Sequence, residues 1–145
     1  MERWLAVSGM AMAGAVVAMQ PMLNAGLGRA TTQLTAALIS FCVGAAALLA
    51  LVAVTGQLGQ VSGIADVRWY YLLGGLCGAV WVTASLIAVT TIGAGGVVAA
   101  TITGQLTAAL IADRLGILGL EATPISPERV LGVFLLLAGT YLVVR

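Results

Sequence analysis

Gln20 and Asn24, Trp81 and Ser85, and Thr101 and Gln105 form three pairs, each separated by four residues, the interval that sets two side chains on one face of a helix. Ser40 adds a further hydroxyl. A carboxamide brings two N–H donors and a carbonyl acceptor, a hydroxyl donates once and accepts twice, and an indole donates once. Such groups can hold a solute by hydrogen bonding and stacking, but they do not exchange protons near neutral pH. The chain has no His and no Lys, and six Arg stand against five acids for a net charge of +1. Without histidine the commonest proton shuttle and metal ligand is missing, and no acid pair or metal-ligand cluster falls within the apolar segments. Neither an enzyme nor a bound cofactor or metal is expected. No basic patch points to nucleic acid.

The elements that carry these residues are hydrophobic. Of 145 residues, 61% are hydrophobic and 8% charged, with a mean hydropathy of +1.14, whereas a soluble domain carries about 25% charged residues. This predicts an all-α integral membrane protein, a single transmembrane domain over 1–145 with helices at 4–25, 32–54, 69–92, 97–115 and 127–144. Five crossings of about 20 residues each use most of the chain. Trp69, Tyr70 and Tyr71 supply an aromatic belt at the start of span three. Gly93, Ala94, Gly95 and Gly96 are expected to break the helix between spans three and four. Ser126 is a helix N-cap and Pro127 a first helical residue for span five. The apolar run from Trp4 to Leu23 is longer than the core of a signal peptide, so no cleavage is expected.

At 1.5 Å per residue, with direction alternating between spans, Gln20 and Ser85 lie roughly 24 Å from the N-terminal side and Trp81 roughly 18 Å. Ser40, Thr101 and Gln105, entering from the far side of a core about 30 Å thick, come out at roughly 18–24 Å as well. Polar groups of four helices thus share one layer. Asn24 sits slightly beyond it. Polar side chains inside a bilayer are costly unless they face the bundle interior or a wet cavity, so a pocket between spans one and four is expected. Hydrogen bonding between packed helices, at about 0.6 kcal/mol each, is the alternative. It suits Ser40 and Thr101, while the carboxamides of Gln20 and Gln105 have more groups to satisfy and suit the pocket; Trp81 serves either. Pro21 frees the Val17 carbonyl one turn back and can kink span one beside this layer.

Gly74 and Gly78, Gly104 with Ala108 and Ala112, and Gly132 with Gly139 recur at helix-packing intervals. Span five is otherwise almost all Leu, Val and Phe and reads as packing or dimerisation. Asp113 is the one acid near a span interior; it reads as an interfacial charge pair, with ion or proton coupling as the sharper alternative. Glu2, Asp66, Glu121 and Glu128 read as loop or interface charges, and Cys42 and Cys77 as apolar fillers. With five spans, Arg3, Arg68, Arg114 and Arg129 fall on one side and Arg29 and Arg145 on the other. That bias leaves open a fixed cytoplasmic N-terminus or insertion in both directions with antiparallel pairing.

The stretch from Met19 through Gln20, Pro21 and Asn24 to Gly28, then Ser40 to Gly44, Gly104–Gln105–Leu106, Asp113 to Gly116, and Pro127 to Gly132 with Gly139 closely resembles the YdcZ-like branch of the drug/metabolite transporter superfamily. The likeness covers essentially the whole chain. It implies a five-helix unit, half of a ten-helix EamA-type fold, in the cell's inner membrane. It also implies a dimer of inverted or paired halves, either a homodimer or a heterodimer with a paralogue, that moves a small solute by alternating access. The related small multidrug resistance proteins carry a membrane-embedded glutamate in their first helix. Here the deep polar residues of span one are Gln20 and Asn24, which points away from proton-coupled cation exchange and toward a neutral or weakly charged solute. A non-transporting subunit of a membrane complex and a passive channel are the competing readings.

Overall fold

The computed structural model describes residues 2–117 and 122–145; Glu121 lies outside them. The first helix, α1, spans Glu2–Ala30, five residues beyond the expected end at 25. The residues after Asn24 stay helical, Arg29 sits in the last turn where a cation suits the helix dipole, and Thr31 closes the end by donating from both its backbone N–H and its hydroxyl to the Leu27 carbonyl. Pro21 is buried inside this helix, which continues through it. A two-residue connection, Thr31–Thr32, leads into α2, Gln33–Val54. Thr32 is its N-cap, with the hydroxyl accepting from the Thr35 N–H at 3.2 Å.

Helix α2 ends in a Schellman motif. Gly56 adopts φ +71°, its N–H donates to Ala53 O at 3.1 Å, and the Gln57 N–H donates to Val52 O at 2.9 Å. The polar stretch expected as a loop over 55–68 is largely 3-10 helix, Leu58–Asp66. A second 3-10 stretch, Trp69–Leu72, brings the aromatic belt into the next helix. Here the Tyr70 and Tyr71 rings lie 4.6 Å apart and the Arg68 guanidinium donates to the Tyr70 hydroxyl at 3.2 Å.

Helix α3, Leu73–Leu115, is interrupted at Gly93, where φ is +69° and ψ 172°. That backbone conformation is essentially confined to glycine. The break expected over 93–96 is therefore made by Gly93 alone, dividing α3 into runs 73–92 and 94–115. Ala94, Gly95 and Gly96 remain helical. The last helix, α4, is Pro127–Val144, capped by the Ser126 hydroxyl, which accepts from the Arg129 N–H. Four segments are long and apolar enough to cross a membrane, and the third, Trp69–Leu115 at 47 residues, has the length of two crossings. Among the described residues there is no strand.

Contacts group the chain into residues 1–90 and 91–145. In the first unit Ala36 and Ala37 of α2 meet Val82 and Leu86 of α3, and Ala25, Leu27 and Trp81 pack against them. Small side chains let these helices approach closely: a Cβ on Gly28 would lie 3.7 Å from Gln33 Cα, and one on Gly78 would press to 3.3 Å from Phe41 Cζ. In the second unit, run 94–115 and α4 are antiparallel. Gly95 faces Val143 and Gly96 faces Val144, Ala99 and Thr103 meet Thr140, and Asp113 meets Arg129.

Candidate functional site

Most large apolar side chains of the chain are exposed, from Met10 and Val16 on α1 to Leu48 on α2 and Phe134 and Leu142 on α4. Against that background the buried polar residues are few: Asn24, Ser85 and Thr103. Two of them belong to the first unit. Asn24 is 6% exposed and Ser85 5%. Their neighbours share one core, since Ala25 and Leu27 follow Asn24 along α1, Val82 and Leu86 bracket Ser85 on α3, and all four enter the same cluster.

The two differ in how they are satisfied. The Ser85 hydroxyl donates to the Val82 carbonyl of its own helix at 2.9 Å. The Asn24 side-chain nitrogen has no hydrogen-bond partner, the one such fully buried side-chain nitrogen or oxygen among the described residues. A buried donor left unpaired costs about 1–3 kcal/mol. Gln20, one turn before Asn24, is half-buried, as are Trp81 and Ser40. Pro21 between them is fully buried and leaves the Val17 carbonyl without its usual helical donor.

The second unit divides its polar residues between two faces. The Thr103 and Thr140 hydroxyls lie 2.7 Å apart, and the Ala99 carbonyl is within reach of both, at 2.9 Å from Thr103 and 3.1 Å from Thr140; with one proton apiece, one hydroxyl donates to the other and the second to the carbonyl. Thr103 and Thr140 had no place among the residues singled out from the sequence. The signal was there in Ala99, Thr103 and Thr107, small and hydroxyl residues at four-residue intervals. Gln105 lies two residues on from Thr103, about 200° round the helix, and is exposed; Thr101 is half-buried. The Gln105 amide therefore points away from the α4 contact.

Among the glycines expected to mediate packing, Gly78 meets Phe41, whereas a Cβ on Gly74, Gly104, Gly132 or Gly139 would meet nothing within 4 Å. Asp113 pairs with Arg129 at 3.5 Å, both side chains being about half exposed at 40% and 47%, and the Asp113 carbonyl accepts from the Thr123 N–H at 2.8 Å. Among the described residues no cluster of His, Cys, Asp or Glu could hold a metal. A groove of about 400 Å³ between α2 and α3, lined by Leu34, Ala37, Leu38, Phe41, Ala79 and Thr83, is apolar and includes none of the residues expected to bind solute.

Helices long and apolar enough to cross a membrane, turning Leu, Val and Met outward while enclosing an asparagine and a serine, have the make-up of a polytopic helical membrane protein, whose outer surface the bilayer covers. The chain belongs to the DMT_YdcZ family, described as "Putative inner membrane exporter, YdcZ", whose model matches residues 5–142. The resemblance read from residue order is thereby borne out, and so is the inner membrane as its location. That description names an exporter, a transporter class and not an enzyme class. No curated protein and no solved structure matches the chain.

Proposed function

We propose that this chain is one half of a transporter that exports a small solute by alternating access, acting as a dimer whose two halves together correspond to a ten-helix fold. The reading is carried by the burial of Asn24 and Ser85 beside a core to which α1, α2 and α3 all contribute, in a chain whose family description names an exporter. Polar groups in a membrane interior mark solute pathways when they face the bundle. Gln20, half-buried beside Asn24, extends that polar surface. Gln105, exposed in the middle of a span, is supplied with a polar neighbour when a second half covers it. Antiparallel pairing of two identical chains is supported by the weak arginine bias between the two sides and by the inverted repeats common among transporters. The other partners are lipid and the solute, and a paralogue can take the place of the second copy.

Solute efflux from proteoliposomes tests the reading. A Gln20→Leu, Gln105→Leu double variant is expected to lose efflux while remaining folded. Unchanged efflux would remove these amides from the pathway. A non-transporting subunit is favoured by the outward Gly74, Gly104, Gly132 and Gly139, which suit close packing on another membrane helix. Native mass in detergent separates the two: a stable homodimer supports the transporter, and an obligate mixed complex supports the subunit.

A further inference from the structure

We infer that the Asn24 carboxamide is the recognition donor for a hydrogen-bond acceptor oxygen on the transported solute, so that the solute carries a neutral amide or a carboxylate. This rests on the transport reading above. Asn24 is 94% shielded (6% exposed), and its side-chain nitrogen has no acceptor among the described residues. The other buried polar side chain described in residues 1–90, the Ser85 hydroxyl, is already committed to Val82 O at 2.9 Å. A membrane helix gains nothing by enclosing an unpaired N–H donor, since the bilayer offers it no water in exchange. The donor makes sense when an acceptor arrives with the solute. Gln20, one helical turn away on the same face, is placed to contribute a second amide as the solute leaves the buried position. Trp81 is half-buried and packs against the core that Ala25 and Leu27 also join, which makes it the fluorescent reporter of choice.

The test compares the full-length protein with Asn24→Leu, and with Asn24→Ala should the bulkier variant fail to fold. The probes are N,N-dimethylacetamide, acetate and tetramethylammonium. Without solute, Asn24→Leu is expected to unfold at or above the wild-type temperature, because an unpaired polar group has been replaced by an apolar one of similar shape. Dimethylacetamide or acetate is expected to raise the wild-type midpoint, and to change Trp81 fluorescence in a Trp4→Phe, Trp69→Phe background. Asn24→Leu should weaken that response about tenfold. Tetramethylammonium should do neither. The inference is overturned if Asn24→Leu and Asn24→Ala both unfold several degrees lower, if the response to acceptor solutes survives in Asn24→Leu, or if none of the probes binds or only tetramethylammonium does. Efflux is scored separately. Efflux insensitive to Asn24→Leu leaves the transporter standing and removes this role, whereas Asn24-dependent binding without efflux of any probe leaves the role and removes the transporter.

Discussion

The Thr103 and Thr140 hydroxyls meet at 2.7 Å over a single carbonyl, that of Ala99, and this contact pins α4 against the run 94–115. Hydrogen bonds between membrane helices average about 0.6 kcal/mol and reach about 1.7. Because the pair shares one acceptor, Thr103→Val and Thr140→Val are expected to be non-additive. Each single variant should cost about 0.6 kcal/mol in reversible unfolding by denaturing detergent, and the double variant less than the sum.

Gly93 separates the two runs of α3 with a backbone conformation that other residues resist. Open space surrounds its Cα, so the cost of Gly93→Ala is conformational and not steric. A loss of about 1–3 kcal/mol is expected. Gly74→Ala, in the helical part of α3 with nothing within 4 Å, is the control and should stay within about 0.5 kcal/mol of the native protein. Equal stability of the two variants would show that the break tolerates a side chain.

At Gly78 the cost is steric. A Cβ there would lie 3.3 Å from the Phe41 ring, which is partly exposed and can yield a little. Gly78→Ala is expected to be mild, and Gly78→Leu to cost about 1–3 kcal/mol by overpacking. Phe41→Ala should recover much of the Gly78→Leu loss. A double-mutant cycle on thermal midpoints gives the coupling.

The Asp113–Arg129 pair is about half exposed, at 40% and 47%, with a 3.5 Å separation, and an ion pair of this kind contributes about 0–1 kcal/mol. Arg129→Gln and Asp113→Asn should each change stability by no more than about that amount, with the difference shrinking further at high salt. Efflux by Asp113→Asn that keeps its wild-type pH dependence would separate Asp113 from ion coupling; loss of that dependence would place it in the coupling path.

Antiparallel pairing has its own readout. Ser62 lies exposed in the 3-10 stretch Leu58–Asp66, and the chain's cysteines, Cys42 and Cys77, are both free thiols on apolar helices. In a Cys42→Ala, Cys77→Ala background, Ser62→Cys is expected to react with an impermeant maleimide from both sides of the membrane in comparable amounts. Labelling confined to one side fixes a single orientation and removes the antiparallel arrangement.

Five apolar segments, the cap at Ser126–Pro127 and a glycine break near 93 were legible from residue types alone, because hydropathy over about 20 residues and local backbone chemistry do not depend on what packs nearby. The exact break was not legible. Gly93, Gly95 and Gly96 have the same intrinsic freedom, and nothing in the residue types says which of them turns; in the fold Gly95 and Gly96 stay helical, packed near Val143 and Val144, and Gly93 turns. Depth along the membrane was likewise a matter of counting residues, but the direction in which each polar group points was decided by packing. Thr103 and Gln105 stand two residues apart, yet α4 covers the first and leaves the second outside. The sequence by itself determined a chain whose helices are long and apolar enough to cross a membrane and carry amides and hydroxyls within them. Tertiary structure decided that Asn24 is enclosed with its side-chain nitrogen unpaired, since rotation about a helix axis is set by the neighbouring helices and not by the helix's own residues.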